Sequence, residues 1–518
     1  MDQVLLSIDC GTQSLRALIF SPDGTLLAKE QVPYSPGDAP RPGWSEKDPL
    51  EYWQAMVTAL GRLKAQSPDL FSQICAMGVT TIRDTVVCLD KRGNNLRPAI
   101  LWMDQRQSEA VYRPSMLQRL GAKIVGMDEA VTRIQMEGKC NWIRQNQPDI
   151  WARTAVFGMI STWFHFMLTG KFIDSTANQI GHIPFNYAKG RWSRKGELTA
   201  RLFPVESSKL VDLVPPGTPI GVITPAASEA TGLPRGLMVV ATASDKGCET
   251  LGAGVTDLSM AALSFGTTAT IQSTSDKYFE PISYMPAYPA PIPGHFNPSI
   301  EIFRGFWMIS WFKNEFAHAE VEAARLEGIP PETLMDRWLH EVPPGSLGLI
   351  VQPYWGAGLK EPCAKGSIIG FGDAHGKPHL YRAVLEGLGY ALYEGLHHIE
   401  AKGKVKVREC VACGGGSQSD EVCQMTADIF NRPVLRGRTF ETAGLGAAMV
   451  TAKGCGMYPG IREAASGMSA ITVRFEPNPE HALLYHELFT NVYRKLYLSL
   501  KPLYETIRRV TGYPPPVE

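Results

Sequence analysis

A short segment near the N-terminus combines groups that bind phosphate and metal ions. Asp9-Cys10-Gly11-Thr12 ends an apolar strand pattern at a hairpin turn. Backbone N–H groups and the Thr12 hydroxyl of such a turn can face an anion, while the Asp9 carboxylate can face a metal ion. The segment is therefore suited to a nucleotide phosphate with Mg²⁺. A plain hairpin, in which Gly11 only satisfies the turn geometry, is the alternative interpretation.

The second half of the chain holds a similar turn, Gly266-Thr267-Thr268, after another apolar strand pattern. Two such turns facing each other can hold one polyphosphate from both sides, which favours phosphate binding for both. The repeated pattern also predicts two related halves of about 250 residues, although a short shared motif can arise by coincidence. We place the boundary near residue 255, with one domain at 1–255 and a second at 256–518.

A carboxylate follows the apolar strand pattern at 237–243, in the sequence Ser244-Asp245-Lys246. Sheets in α/β proteins place ligands at the carboxyl ends of their strands. Asp245 can act there as a general base on a substrate hydroxyl, a role typically worth ~10²–10⁴ in rate. The alternative is that Asp245 caps a helix predicted at 247–251.

A glycine-rich segment, Cys413-Gly414-Gly415-Gly416-Ser417, joins a predicted strand at 407–412 to a predicted helix at 420–430. The glycines permit close approach of the backbone to a flat ligand such as an adenine nucleotide. The pattern is not GxGxxG, so NAD is disfavoured. A flexible turn is the alternative. Cys410 and Cys413 form a CxxC without a second pair at zinc spacing, which argues against a metal site.

Two further segments follow predicted strands and combine charge with an aromatic ring: Arg83-Asp84 and Trp102-Met103-Asp104. A polyhydroxylated substrate needs an apolar face to lie on and charged groups that bond its hydroxyls. These residues supply both. The alternative is a partly buried tryptophan beside a surface network of ion pairs.

The elements that would position these residues alternate between strands and helices. Strands are predicted at 4–8, 16–20, 26–32, 74–79 and 85–89, with a helix starting at Asp48-Pro49 between the third and fourth. This order favours an α/β fold with mixed sheets. We also predict a buried helix at 155–168, and we expect the chemistry in a cleft between the two halves.

Composition limits the classes of partner. The 518 residues include 51 Lys plus Arg and 51 Asp plus Glu, and this neutral balance argues against a nucleic-acid partner. Ten cysteines with apolar neighbours indicate free thiols in a reducing compartment. The N-terminus lacks the positive charge of a signal peptide, and no apolar stretch reaches the ~18 residues that cross a membrane. We therefore expect a cytoplasmic protein without a membrane partner.

Together and in order, these motifs resemble the FGGY carbohydrate kinase family of the sugar kinase and actin superfamily. The resemblance extends from Asp9 to about Gly460. It is carried by the segments already described and by three others: Gly43-Trp-Ser-Glu-Lys-Asp-Pro49, Ala383-Val-Leu-Glu-Gly387 and Gly446-Ala-Ala448. It implies two ribonuclease-H-like domains with a cleft between them, and ATP-dependent phosphorylation of a sugar or polyol hydroxyl.

The resemblance also implies roles for single residues. Asp245 matches the catalytic base and Asp9 the acid linked to Mg²⁺. The positions matched to ATP are Gly11, Thr12 and Arg16 in a first phosphate loop, Gly266 and Thr267 in a second, and Gly414, Gly415 and Ser417 at adenosine. The positions on the substrate side are Arg83, Asp84, Trp102, Asp104 and Lys246.

The choice of substrate stays open at this point. Arg83-Asp84 resembles the Arg-Glu pair of glycerol kinases, but Lys246 stands where those relatives carry an uncharged residue. Lys246 can recognise a carboxylate or extra hydroxyls, or it can pair with Glu249 one turn later. A nucleotide-gated ATPase without a small-molecule acceptor and a catalytically silent sugar-binding regulator are the alternative functions. The oligomeric state is open, with a homodimer as one option.

Overall fold

The computed structural model describes residues 3–113, 116, 130–355 and 363–513 of the chain. The strands are β1 (Val4–Cys10), β2 (Ser14–Phe20), β3 (Leu26–Pro33), β4 (Glu46–Lys47), β5 (Ile74–Thr81), β6 (Val86–Leu89), β7 (Ala99–Ile100), β8 (Val156–Met159), β9 (Ile173–Ser175), β10 (Phe185–Asn186), β11 (Arg191–Trp192), β12 (Asp212–Val214), β13 (Pro219–Val222), β14 (Met238–Val240), β15 (Met260–Phe265), β16 (Ala269–Gln272), β17 (Tyr288–Pro289), β18 (Phe296–Asn297), β19 (Ser299–Ile302), β20 (Ile350–Gln352), β21 (Ser367–Ile369), β22 (Glu409–Cys413), β23 (Val434–Gly437) and β24 (Ile471–Phe475).

The α-helices are α1 (Pro49–Gln66), α2 (Pro68–Ser72), α3 (Ala130–Met136), α4 (Lys139–Asn146), α5 (Pro148–Arg153), α6 (Ile160–Thr169), α7 (Leu198–Leu202), α8 (Pro225–Thr231), α9 (Asp245–Gly252), α10 (Trp307–Phe316), α11 (His318–Glu327), α12 (Pro331–Met335), α13 (Trp338–Glu341), α14 (Lys377–Gly403), α15 (Asp420–Phe430), α16 (Thr442–Gly454), α17 (Ile461–Met468), α18 (Pro479–Leu488) and α19 (Arg494–Thr511). Among the helices of these described ranges, none is both long and apolar enough to cross a bilayer.

Two six-stranded sheets share one topology. The first has the order β13-β14-β5-β1-β2-β3 and the second the order β24-β23-β22-β15-β16-β19. In each, a central strand pairs antiparallel with the next strand along the chain and parallel with a later one, as β1 does with β2 and β5, and β15 with β16 and β22. The predicted mixed sheets and the predicted repeat are therefore present. The exact boundary near residue 255 stays a prediction.

The two halves, which we call the first and second lobes, meet at α16 of the second lobe, which packs against α9, β1 and β5 of the first lobe. Gly252 of α9 lies so close to α16 that an added Cβ would be 1.9 Å from the Thr442 carbonyl oxygen. A Cβ on Gly446 of α16 would in turn be 1.9 Å from the Cys248 carbonyl oxygen of α9. Such close approach requires glycine at both positions. The Gly446-Ala-Ala448 motif thus fixes the contact between the lobes.

Most predicted elements are observed, and the differences have local causes. Helix α1 starts at Pro49, and the Asp48 side chain accepts the Leu50 N–H at 3.0 Å as the predicted cap. The helix predicted at 155–168 is wrong in its first part. Residues Val156–Met159 form β8 because they pair antiparallel with β6, and only then does α6 begin. Pairing with a neighbouring strand overrides the local preference.

Candidate active site

A cavity of about 3220 Å³ lies between the lobes. This is larger than one small substrate requires and leaves room for a nucleotide beside it. Its lining includes eleven of the residues singled out in the sequence: Gly11, Thr12, Arg16, Arg83, Asp84, Trp102, Asp104, Asp245, Lys246, Gly266 and Thr267. Residues separated by more than 250 positions in the chain are thus brought to one site.

Asp9 lies directly behind the first Gly-Thr turn, near the end of β1. Its side chain is 5% exposed, and its Oδ2 accepts a hydrogen bond from Arg16 at 3.0 Å. Burial raises the pKa of Asp9 to about 6, although Arg16 lowers it. Asp9 Oδ1 has no hydrogen-bond partner within the described part of the chain. A carboxylate with one free oxygen is a donor that Mg²⁺ prefers, usually together with water and phosphate oxygens.

The first Gly-Thr turn is held by bonds that leave its cleft side open. The Gly11 N–H donates to the Ser14 carbonyl at 3.0 Å, and the Tyr34 hydroxyl donates to the Gly11 carbonyl at 2.6 Å. Trp102 Nε1 donates to Thr12 Oγ1 at 3.0 Å. The indole N–H of Trp102 therefore joins the first turn to the segment that follows β7, and it already has a hydrogen-bond partner.

The second Gly-Thr turn is anchored by the start of α10. The Phe306 and Trp307 N–H groups donate to the carbonyls of Gly266 and Thr267 at 3.0 and 3.3 Å. Thr267 is exposed to the cavity. The two turns follow β1 and β15, which are equivalent central strands of the two sheets, so the repeat places the turns at matching strand ends.

Asp245 is the first residue of α9. Ser244 caps this helix by accepting the Gly247 N–H, so the interpretation of Asp245 as the cap is wrong. Burial raises the pKa of Asp245, and Arg83, with its Nε 4.0 Å from Asp245 Oδ1, only partly offsets this effect. A carboxylate that faces a cavity and holds a proton more tightly than usual is suited to general-base chemistry.

Arg83 pairs with a residue that sequence reasoning missed. Its guanidinium donates to Glu301 Oε1, which belongs to β19 of the second lobe. The Tyr288 ring lies 5.5 Å from the Arg83 guanidinium carbon. We call the part of the cavity bordered by Arg83, Asp84, Asp245, Trp102 and Glu301 the Arg83 pocket.

Asp84 has an unusual backbone conformation and bonds two basic side chains. Its φ is 47°, and Oδ2 accepts Lys139 Nζ at 2.6 Å and His182 Nδ1 at 3.0 Å. Burial would raise the pKa of Asp84, but Lys139 and His182 hold it well below its usual range. Gly181 allows this packing, since an added Cβ would lie 2.3 Å from Asp84 Oδ1.

The charged groups of two other predicted substrate residues already bond to neighbouring groups of the protein. Asp104, with its side chain 1% exposed, accepts bonds from Arg106 Nε and NH2, both at 2.7 Å, and from the N–H groups of Ser45 and Arg106. Lys246 Nζ lies 2.6 Å from Glu249 Oε2 and from Ser264 Oγ. The pairing of Lys246 with Glu249, one of the two options from the sequence, is observed.

The glycine-rich segment lies beside the second turn but does not line the cavity. It follows β22, the parallel neighbour of β15, and a Cβ on Gly414 would be 3.3 Å from the Phe265 backbone. Gly415 is exposed, while Ser417 is fully buried and donates to the Gly414 carbonyl at 2.7 Å. The structure thus brings this segment to the edge of the site and not into it.

Sequence reasoning missed several residues that contact the site. They are Lys139, His182, Tyr288, Glu301 and Glu441, the last with its Oε2 3.5 Å from Arg16 Nε. Each lies far along the chain from its partner and in no motif. The only available signal was the unpaired charge of Arg83 and Asp84, which required partners once buried.

Comparison with known proteins agrees with this geometry. The model of the FGGY family of carbohydrate kinases matches residues 4–252 with its N-terminal domain and 261–455 with its C-terminal domain. A protein of Escherichia coli (strain K12) described as "Uncharacterized sugar kinase YgcE" is 28% identical over 513 residues, which cover 98% of this chain and 97% of that protein. The gluconokinase of Bacillus licheniformis is 27% identical over 512 residues, or 96% of both chains.

The crystal structure of xylulose kinase from Rhodospirillum rubrum has the same fold, with a TM-score of 0.80 at 25% identity over 97% of this chain and 100% of that chain. Both family domains are matched in order, and the cavity is lined by eleven of the predicted residues from both halves of the chain. The chain therefore belongs to the FGGY family of carbohydrate kinases and is an ATP-dependent phosphotransferase with an alcohol group as acceptor.

Proposed function

We propose that the protein transfers the γ-phosphoryl group of ATP to a hydroxyl of a small sugar or polyol, with Asp245 as the general base. The observation that carries this proposal is the position of Asp245: a half-buried carboxylate with a raised pKa, facing the cleft and next to Arg83. From there it can take the proton of an acceptor hydroxyl as the new P–O bond forms.

The nucleotide is assigned to the two Gly-Thr turns and the glycine-rich segment. Thr12, Gly266 and Thr267 would hold the phosphates through backbone N–H groups and hydroxyls, and Gly11, whose N–H donates to the Ser14 carbonyl, would shape the first turn. Arg16 would add positive charge, and Asp9 would bind Mg²⁺, which neutralises phosphate charge when bound. Gly414, Gly415 and Ser417 are assigned to adenosine, with Ser417 shaping the turn through its bond to the Gly414 carbonyl.

The acceptor is assigned to the Arg83 pocket. Arg83 and Asp84 would bond its hydroxyls, and the ring of Trp102 would lie against its carbon chain. Asp104 and Lys246 would act differently from the expectation above, because their charged groups are already bonded. We assign them the tasks of fixing the 102–106 segment and the first turn of α9, respectively.

Relatives of this chain are named after different substrates. We therefore propose a class of acceptors, small sugars and polyols, and no single compound. The Rhodospirillum rubrum enzyme is named a xylulose kinase and the Bacillus licheniformis enzyme a gluconokinase. ATP as the donor favours the cytoplasm as the place of reaction, and the homodimer stays a prediction. No comparison supports an ATPase without a small-molecule acceptor.

The test is a screen of polyols, ketoses and sugar acids for acceptor-dependent ADP release, with Asp245→Asn as the matched blank. We expect turnover with at least one compound and a loss of at least ~10² in kcat for Asp245→Asn, with ATP binding retained. Near-normal turnover of this variant contradicts the assignment of the base. ADP release that is independent of every acceptor contradicts the kinase reaction itself.

A further inference from the structure

One ion pair joins the two lobes inside the Arg83 pocket. Arg83 follows β5 of the first lobe, and Glu301 belongs to β19 of the second. Their side chains are only 16% and 22% exposed. The same guanidinium has its Nε 4.0 Å from Asp245 Oδ1. Glu301 therefore determines the charge that the pocket presents next to the general base.

Several cations that line the cavity are also paired. Four of them have a carboxylate oxygen within 4.0 Å: Arg83 with Glu301, Arg133 with Glu137, Lys139 with Asp84, and Lys246 with Glu249. Arg304, which also lines the cavity, lies over the Trp307 ring. His182 stands between Asp84 and Glu137, at 3.0 and 3.7 Å. Each of these four cations therefore already has a counter-charge within the protein.

The pairing of Arg83 with Glu301 affects neutral and anionic acceptor groups differently. A neutral hydroxyl can accept a hydrogen bond from Arg83 and donate one to Glu301, so the pair satisfies it completely. A carboxylate has no proton to donate and would stand beside the negative charges of Glu301 and Asp245. A buried charge without a free counter-charge is costly, and like charges placed together are repelled.

We propose that Glu301 is a specificity-determining residue, which pairs with Arg83 across the cleft so that the pocket takes neutral polyols or ketoses and rejects sugar acids. The inference rests on the proposed function, because it assigns the Arg83 pocket to the acceptor. Removal of the Glu301 charge frees Arg83 to pair with a carboxylate on the ligand, and the rejection of acids should weaken.

The experiment compares matched acceptors that differ in one group, for example xylitol with xylonate and glucitol with gluconate. kcat/KM for ATP-dependent phosphorylation is measured for the wild type, Glu301→Gln and Glu301→Asp. We expect the wild type to prefer the neutral member of each pair. Glu301→Gln should shift the neutral-to-acid ratio at least ~10-fold toward the acid, and Glu301→Asp should restore most of the preference.

Glu280→Gln is the matched control for loss of a negative charge from the same cavity. Glu280 lines the cavity, and its oxygens accept from the Tyr278 hydroxyl and the Tyr284 N–H. This variant should leave the ratio unchanged. A general loss of stability in Glu301→Gln would lower both rates together and leave their ratio constant, so the ratio separates specificity from damage to the fold.

Two outcomes overturn the inference while the proposed function stands: a wild type that prefers the acids, or a ratio that is the same in Glu301→Gln. If the wild type phosphorylates no compound in the screen, the proposed function fails, and the inference fails with it. The two failures are therefore distinguishable.

Discussion

Replacement of Asp9 by asparagine should stabilise the metal-free protein at neutral and alkaline pH. Asp9 is 4% exposed, and burial raises the pKa of its carboxyl from 3.8 to about 6 although Arg16 lies against it. The folded protein thus holds the Asp9 proton more tightly than the unfolded chain does. This contribution to stability is fully present below pH 3.8 and is lost as the pH rises through about 6.

The magnitude follows from the change in proton affinity. Each tenfold change in proton affinity corresponds to about 1.4 kcal/mol. Relative to acidic pH, the free energy of unfolding of the wild type should therefore fall by about 1.5 kcal/mol at about pH 5 and by about 3 kcal/mol at about pH 8. Asparagine carries no charge and keeps an oxygen that can accept from Arg16, while Glu441 still pairs with Arg16. The variant should therefore retain the stability that the wild type loses.

The assay is urea unfolding followed by circular dichroism, with EDTA present and no nucleotide. The free energy of unfolding of Asp9→Asn should exceed that of the wild type by an amount that grows between about pH 5 and pH 8. Asp276→Asn, at an exposed position, is the control and should show no such trend. A variant no more stable than the wild type at about pH 8 would refute the reasoning that burial of this charge costs free energy.

Two other substitutions test the contact between the lobes and the charge at the base. Gly446→Ala places a Cβ 1.9 Å from the Cys248 carbonyl oxygen, so thermal unfolding should show a loss of at least about 3 kcal/mol, with a fall in kcat because α9 carries Asp245. Gly61→Ala, which meets nothing within 4 Å, should instead stabilise the protein by about 0.5–1 kcal/mol; equal effects at the two sites would contradict the packing argument. Arg83→Gln removes a charge that lowers the pKa of Asp245, so the acidic limb of the kcat profile should move to higher pH. An acidic limb that stays in place, as expected for Arg325→Gln on the exposed surface, would argue against Asp245 as the titrating base.

The local elements were predictable because their signals lie within a few residues. Asp48-Pro49 starts α1, and the helix predicted at 420–430 is observed as Asp420–Phe430. The repeated Gly-Thr turn pointed to the duplication, which appears as two sheets of equal topology. Prediction failed where tertiary pairing decided the local structure, as at Val156–Met159, which form β8 by pairing with β6.

The sequence by itself determined the order of the motifs, and with it the family, the reaction and eleven of the residues that line the cavity. It also supplied the charges of Arg83, Asp84, Asp104 and Lys246. Only the tertiary structure decided which groups these charged side chains bond. Lys139, Glu301, Arg106 and Glu249 bond them at close range, and two of these four pairings, Asp84 with Lys139 and Arg83 with Glu301, join distant segments of the chain.

The physical reason is that a charge can be read from a residue type, while its partner depends on which distant segments the fold brings within hydrogen-bond distance. Arg83 and Glu301 lie 218 positions apart in the chain, and neither stands in a motif that names the other. The balance of charge in the Arg83 pocket, and with it the selectivity that we propose, is a property of the folded protein.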